Sequence, residues 1–288
     1  MIGCVAALAK PERAQPFGND QPALLIIDGP AGDIEDTVAR RIGPQLLIPL
    51  KRRAIQYQIS TGEGGVITVK NSARDGSTLL ITNDAAIAFR QKLTPIARIV
   101  SVPYVLVTTK GLTLKSLADI KGGPEVLLLG RQAPRILAGL RLPAFSVRRS
   151  AQSPIDDVLR LVASGKKTVA IVPKPLVVAS YMLPAIQIHE ASDFKLDRPG
   201  TAFGFVGLFG PPEMPKGVIE SLESATKKAT EDSQFKKDMD RLGLVADFAA
   251  STDFRKQLEA TYSVNQDSCK KKDTCEADNQ CPRPCPTS

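Results

Sequence analysis

Two short glycine-bearing turns are the first places in this chain where backbone chemistry could matter. Gly29-Pro30-Ala31-Gly32 follows an apolar run and precedes a helical pattern that opens at Asp33; Thr61-Gly62-Glu63-Gly64-Gly65 repeats the arrangement. The first amides of a helix lack partners within it and the helix dipole makes that end positive, so such a turn can receive a small anion. Taken singly, each is equally an ordinary turn. Side-chain catalysis finds less support. His189 is the only histidine; it follows a strand pattern, Ile186 to Ile188, and no Gly-x-Ser-x-Gly elbow supplies a nucleophile for it. Residues Gly62 to Gly65 lack the Lys-Ser/Thr of a Walker loop, and no Rossmann glycine spacing occurs. Asp156 and Asp157 are adjacent on a helical pattern and point about 100° apart, which suits solvent better than paired acid-base work. The expectation is a protein that is not an enzyme and needs no cofactor and no metal.

Charge and cysteine content bound the remaining classes. Lys and Arg number 38 against 30 Asp and Glu, a net charge of +8 that favours anionic partners over long range. Nucleic acid is not the expected partner, because the basic residues are scattered, only 5% of residues are aromatic, and no nucleic-acid-binding signature occurs. No apolar run reaches the roughly 18 to 20 residues that cross a bilayer. Met1 to Ala9 is a short apolar run followed by Lys10-Pro11-Glu12-Arg13, similar to the end of a secretory signal whose basic start is missing. Cys4 lies in that run, and Cys269, Cys275, Cys281 and Cys285 lie in the last twenty residues. Removal of the leader leaves an even number, compatible with two disulfides in an oxidising compartment; their connectivity is open. The spacings do not match zinc knuckles.

Between these ends, strand and helix patterns alternate from about residue 22 to residue 261, which predicts an α/β architecture. Expected strands are Ala23 to Asp28, Ala54 to Ser60, Ser77 to Thr82, a long Ile96 to Thr109, Glu125 to Leu129, Thr168 to Val172 and Phe203 to Phe209. Expected helices are Asp33 to Ile42, Val66 to Ala73, Leu114 to Ile120, Pro134 to Leu140, one opening at Ser153 or Pro154 and closing at Gly165, then Lys216 to Ala229, Ser233 to Leu242 and Thr252 to Tyr262. Gly130 to Gln132 is expected as a turn, and no internal repeat is visible.

Several of these segments, in order, resemble the substrate-binding proteins of tripartite tricarboxylate transporters, the Bug family. Gly29 to Arg40 is similar to that family's Pro-Gly-Gly turn followed by Asp and Ala-Arg, with Ala31 in place of the first glycine of the pair. Gly62-Glu63-Gly64-Gly65 resembles its Gly-Ala-Gly-Gly, and Arg74-Asp75-Gly76-Ser77-Thr78-Leu79-Leu80 its Pro-Asp-Gly-Tyr-Thr-Leu-Leu. Leu93 to Val107, Ser153-Pro154 to Leu159, and Leu208 to Lys216 continue the likeness, which covers most of residues 22 to 265. It implies two α/β lobes of the type II periplasmic-binding-protein fold with a ligand cleft between them. Lobe I would be 22–104 plus 207–265 and lobe II 105–206, with 1–21 a leader remnant and 266–288 a Cys-rich disordered tail. It also implies a monomeric periplasmic receptor that passes a small organic acid to membrane permease subunits.

By position, the resemblance places Ala31, Gly32 and Asp36 at the first loop, Thr82 and Asn83 at the end of the third strand, and Gly130, Arg131 and Gln132 with Arg149 and Ser150 on the second lobe. Asp36 and Thr82 could equally serve only local backbone. Arg131 and Arg149 stand where the family has small residues and a Tyr, so two guanidiniums there could hold an extra carboxylate or be solvated rim residues. Val172 replaces an Asp that many relatives carry, and no Tyr-Lys-Gly precedes Ser153. Three alternatives stay open: a ligand sensor that presents its closed form to a signalling partner, a diverged relative that no longer binds, and an enzyme on the same fold.

Overall fold

The computed structural model describes residues 22–47, 50, 52–60, 63–83, 88, 90–110, 112, 125–129, 133, 147–150, 155–164, 168–180, 183–190, 193 and 203–270. Its strands are β1 (Ala23–Ile27), β2 (Ile55–Ile59), β3 (Thr78–Thr82), β4 (Thr94–Thr109), β5 (Glu125–Leu129), β6 (Val147–Ser150), β7 (Thr168–Pro173), β8 (Ile186–His189), β9 (Phe203–Gly210) and β10 (Val245–Ala250). Its helices are α1 (Ile34–Leu46), α2 (Glu63–Lys70), α3 (Ile155–Ala163), α4 (Lys174–Val178), α5 (Lys216–Glu231), α6 (Ser233–Arg241) and α7 (Ser251–Lys270).

Two sheets share one strand. The order β2, β1, β3, β9, β4 forms the first, with β10 also on β4; β4, β7, β5, β6 forms the second, with β8 on β4. All but two of the sixteen β4 residues are buried, as expected of an apolar strand covered on both faces. Its changeover is sharp: Pro103 still pairs with Phe203 of β9, and Tyr104 already pairs with Pro173 of β7. Proline has no N–H to give a ladder, so its position at the end of one set of partners costs the sheets little.

Three packed clusters hold these layers. Leu25, Ile27, Val38, Ile42 and Leu46 join Ile99, Val206 and Leu222 in the largest, which also reaches Val126, Val169 and Ile171 of the second sheet. On the other face of the first sheet, Phe254 of α7 lies edge-on to Phe205, with ring centroids 5.2 Å apart, and tilted to Phe209 at 5.3 Å. Gly207 sits beneath that ring, and a Cβ there would lie 2.4 Å from Phe254 Cζ, so the close approach of helix to strand requires glycine. Leu127, Val158, Val162, Ala170 and Val172 form the core behind the second sheet.

Several expected boundaries shift for local reasons. The α1 helix runs on past Ile42 and through Pro44 to Leu46, whose side chain is fully buried; packing there outweighs the hydrogen bond that Pro44 forfeits. The α2 helix begins at Glu63 and not at Val66, because Gly64 and Gly65 belong to its first turn. Strand β6 was not expected, since Arg148 and Arg149 interrupt its apolar pattern; β10 and α4 were also missed. Helix α7 extends to Lys270, so residues 266–270, expected as the start of a tail, are helical. The expected leader (1–21), the helices Leu114 to Ile120 and Pro134 to Leu140, the turn Gly130 to Gln132, and residues 271–288 lie outside the described residues. Among the described residues no helix is long and apolar enough to cross a membrane.

Candidate functional site

Strand direction decides where a site can form. Strands β1 and β3 are parallel neighbours, and β3 and β4 both run antiparallel to β9, so β1 and β3 run the same way as β4 and end toward the second sheet. Strand β7 runs antiparallel to β4, and β5 and β6 run parallel to β7, so their C-terminal ends point back toward the first sheet. The carboxyl ends of both sets therefore face each other across the Pro103–Tyr104 changeover. Crevices outside strand carboxyl ends are where ligands bind in open α/β sheets.

On the first sheet, the register Ile27↔Ile81 brings Asp28 beside Thr82. Both are buried, and Thr82 Oγ1 donates to Asp28 Oδ2 at 2.8 Å while the Asp28 N–H reaches Ile81 O at 3.0 Å. The chain then turns through Gly29 to Gly32, where Gly32 takes φ +81°, a left-handed conformation that glycine adopts without cost. Asp33 caps α1 by accepting from the Ile34 N–H at 2.7 Å. Asp36 reaches back: Oδ2 accepts from the Gly32 N–H at 2.8 Å and Oδ1 from Arg40 Nε at 2.8 Å. Burial on its own would raise the Asp36 pKa, but the Gly32 amide, the Arg40 hydrogen bond and the Arg40 charge together outweigh it and hold the carboxyl below its ordinary value. The Arg40 guanidinium lies over the Tyr57 ring at 5.3 Å.

Five of the expected site residues, Ala31, Gly32, Asp36, Thr82 and Asn83, thus gather at the ends of β1 and β3. Their roles divide. Ala31 and Gly32 are exposed, Asn83 is half-buried, and Asp36 and Thr82 are buried residues that fix the loop to the sheet. The Gly32 amide expected to meet an anion is already bonded to Asp36. Asp28, which joins the loop to Thr82, was not singled out from the sequence; an acid at the end of an apolar strand was the available signal. Glu35, buried beside Gly29, also went unremarked.

On the second sheet, Leu128 pairs with Arg149 and Leu129 with Ser150, so Arg149 and Ser150 occupy the last two positions of β6 beside the end of β5. Gly130, Arg131 and Gln132, which follow β5, lie outside the described residues. Strand β7 ends at Pro173, and the next residue, Lys174, pairs with Glu190 at 2.7 Å. Val172 is fully buried in the core behind this sheet.

His189 serves structure. It is buried on β8 with Nε2 3.1 Å from Thr108 Oγ1, whose hydroxyl donates to Leu112 O at 3.0 Å, so Nε2 is the donor to Thr108. Burial lowers its pKa against the opposing pull of Asp193. Among the described residues no group of three His, Cys, Asp or Glu side chains could hold a metal ion.

No family model matches the sequence, and no curated protein matches it. Solved structures do match in shape. MatC (Rpa3494) from Rhodopseudomonas palustris with bound malate superposes with a TM-score of 0.60 at 18% identity, covering 84% of this chain and 98% of that one. Rpa4515 of the same organism, with adipate, gives 0.63 at 16% identity over 86% of this chain and 96% of its own. A TctC solute-binding protein from Polaromonas gives 0.65 at 15% identity over 85% and 98%. Identities this low speak for the fold: the chain has the two-lobed α/β fold of periplasmic solute-binding proteins.

Proposed function

We propose that this chain is an extracytoplasmic receptor for a small organic carboxylate, held between the facing strand ends of its two sheets and delivered to the membrane subunits of a tripartite tricarboxylate-type transporter. The convergence of strand carboxyl ends on the β4 changeover carries the reading, and neighbours of the same fold hold malate and adipate. Residues 22–104 with 207–265 form one lobe and 105–206 the other, and the chain works as a periplasmic monomer. The ligand touches Ala31, Gly32 and Asn83 on the first lobe and Gly130, Arg131, Gln132, Arg149 and Ser150 on the second. Asp36 and Thr82 position the first-lobe loop, each through the hydrogen bond it already makes.

Binding, not turnover, is the work asked of these groups. A ligand that touches both lobes favours the closed state by its differential affinity for it. Thermal or chemical denaturation with a panel of carboxylates that includes malate and adipate tests this. A ligand at about 100 times its dissociation constant adds ~2.7 kcal/mol to the stability. A panel with no stabilising member would refute the receptor, and conversion of any member to product would install an enzyme in its place.

A further inference from the structure

Strand β2 ends the first sheet. Among the described residues its only strand partner is β1, so one of its long edges is left unpaired. Two bonds fix which backbone groups that edge presents: the Ala23 N–H donates to Ala54 O at 3.0 Å, and the Ser60 N–H to Ile27 O at 2.9 Å. Backbone groups alternate sides along a strand, so Ala54, Gln56, Gln58 and Ser60 face β1, while Ile55, Tyr57 and Ile59 turn their N–H and C=O groups outward. No residue of β2 is charged and none is proline. Natural edges are guarded by charge, irregular pairing or shortness. The other outer strands obey this: β6 holds Arg148 and Arg149, β10 shifts register against β4, and β8 has only four residues.

The sequence of β2 also reads the same in both directions, Ile55-Gln56-Tyr57-Gln58-Ile59. We infer that the β2 edge docks a second copy of this chain, antiparallel about a two-fold axis at Tyr57. Ile55 then opposes Ile59 of the second copy, Tyr57 opposes its own counterpart, and Ile59 opposes Ile55. Every outward N–H meets an outward C=O, two bonds in each of three pairs. A slip of one residue would set outward groups against inward ones and lose them all. Gln56 and Gln58, both exposed, oppose each other across the axis in non-hydrogen-bonded pairs, with Cα atoms about 4.5 Å apart. On the α1 face the two Tyr57 rings adjoin, an aromatic cross-strand pair. Each Tyr57 hydroxyl already rests against Gly43, and the Arg40 over each ring is paired with Asp36 at 2.8 Å, so the copies bring no bare positive charges together. One such edge per chain closes the assembly at two. Five residues make a small contact, so the pair is weak and reversible, and the single chain remains the working form of the receptor.

Sedimentation equilibrium of the full chain from about 5 to about 500 µM tests the pairing, with a reductant present so that no disulfide joins the copies. The average mass should climb from one copy toward two. Three variants at the exposed glutamines then read the register, and circular dichroism checks that each is folded. Gln56→Lys with Gln58→Glu sets opposite charges across both glutamine pairs and should associate at least as tightly as the wild type. Gln56→Lys with Gln58→Lys, and Gln56→Glu with Gln58→Glu, set like charges there, and each should weaken association on the order of tenfold. These last two change the net charge in opposite directions, so a bulk charge effect would drive them apart. A mass that stays at one copy at about 500 µM overturns the inference. So does equal association by all three variants, a divergence between the two like-charge variants, or an opposite-charge variant that associates less than both. No ligand is present, so each of these outcomes leaves the receptor standing.

Discussion

Adjacent glycines in α2 should respond to the same substitution with opposite signs. A Cβ at Gly64 would meet only Ser60 Oγ, at 3.8 Å, an ordinary contact. Gly64→Ala should therefore gain the helix preference of alanine, about 0.5–1 kcal/mol. One residue on, a Cβ at Gly65 would lie 2.7 Å from Ile26 Cγ2 and 2.7 Å from both Ser60 Cβ and Oγ. The Ser60 hydroxyl can rotate away; Ile26 is fully buried and Ser60 Cβ is tied to the backbone, so neither can. Overpacking of that kind costs about 1–3 kcal/mol, and two immovable contacts put this case near the upper end. After the alanine gain is subtracted, Gly65→Ala should lose about 2 kcal/mol, and the two variants should differ by about 3 kcal/mol, more than a hundredfold in the folding equilibrium. Urea unfolding followed by circular dichroism measures this, provided the slopes agree between variants. If Gly65→Ala proves as stable as Gly64→Ala, the packing argument for this glycine pair is wrong.

Other outcomes follow from single hydrogen bonds. Asp36→Asn removes a charge-assisted acceptor from Gly32 and Arg40 and should cost about 1–3 kcal/mol at neutral pH. Because the folded pKa of Asp36 lies below its ordinary 3.8, the wild-type advantage should hold above about pH 4 and fade as pH falls through the folded value; an advantage that grows on acidification would contradict this. For His189 the folded pKa is also lowered, so its contribution is complete above its ordinary 6.5 and is lost as pH falls below it. Wild-type stability measured from pH 7.5 to 5 should accordingly decline more steeply than that of His189→Gln, and parallel curves would count against a neutral buried ring. Thr82→Val leaves Asp28 without its 2.8 Å donor and should cost about 1–3 kcal/mol in thermal unfolding, with Thr82→Ser closer to the wild type.

Apolar runs made most strands legible: β1, β3, β4, β5, β7 and β9 were readable because each is a short or long buried stretch whose residues have little alternative. What escaped was marked by residues that mean two things. Gly64 and Gly65 read as a turn because glycine usually breaks helices, yet here the lack of a side chain lets α2 lie against Ile26 and Ser60. Charged Arg148 and Arg149 hid β6, a strand at the sheet edge where apolar alternation is not demanded. At the loop Gly29 to Gly32 the residues left two roles open for Asp36, a ligand contact or service to local backbone; its bond to the Gly32 amide is of the second kind, and which amide it takes depends on how α1 leaves the sheet. Likewise the Asp28–Thr82 contact joins residues 54 apart, and only the β1–β3 register reveals it.

Strand β4 also governs the order in which the chain can assemble. Thr94 at its start bonds to Pro211, 117 residues later, and β10, its other partner in the first sheet, comes later still. As the polypeptide arrives N-terminus first in the compartment where it folds, the N-terminal part of the first sheet must wait with an open edge until these late pieces arrive. The middle of the chain has no such delay, since β7 and β8 follow β4 within about eighty residues and can pair with its second half at once, with β5 then joining β7. Long-range pairing of this kind slows folding and leaves apolar edges uncovered meanwhile. The later-synthesised middle should therefore acquire protection from hydrogen exchange before the earlier-synthesised beginning.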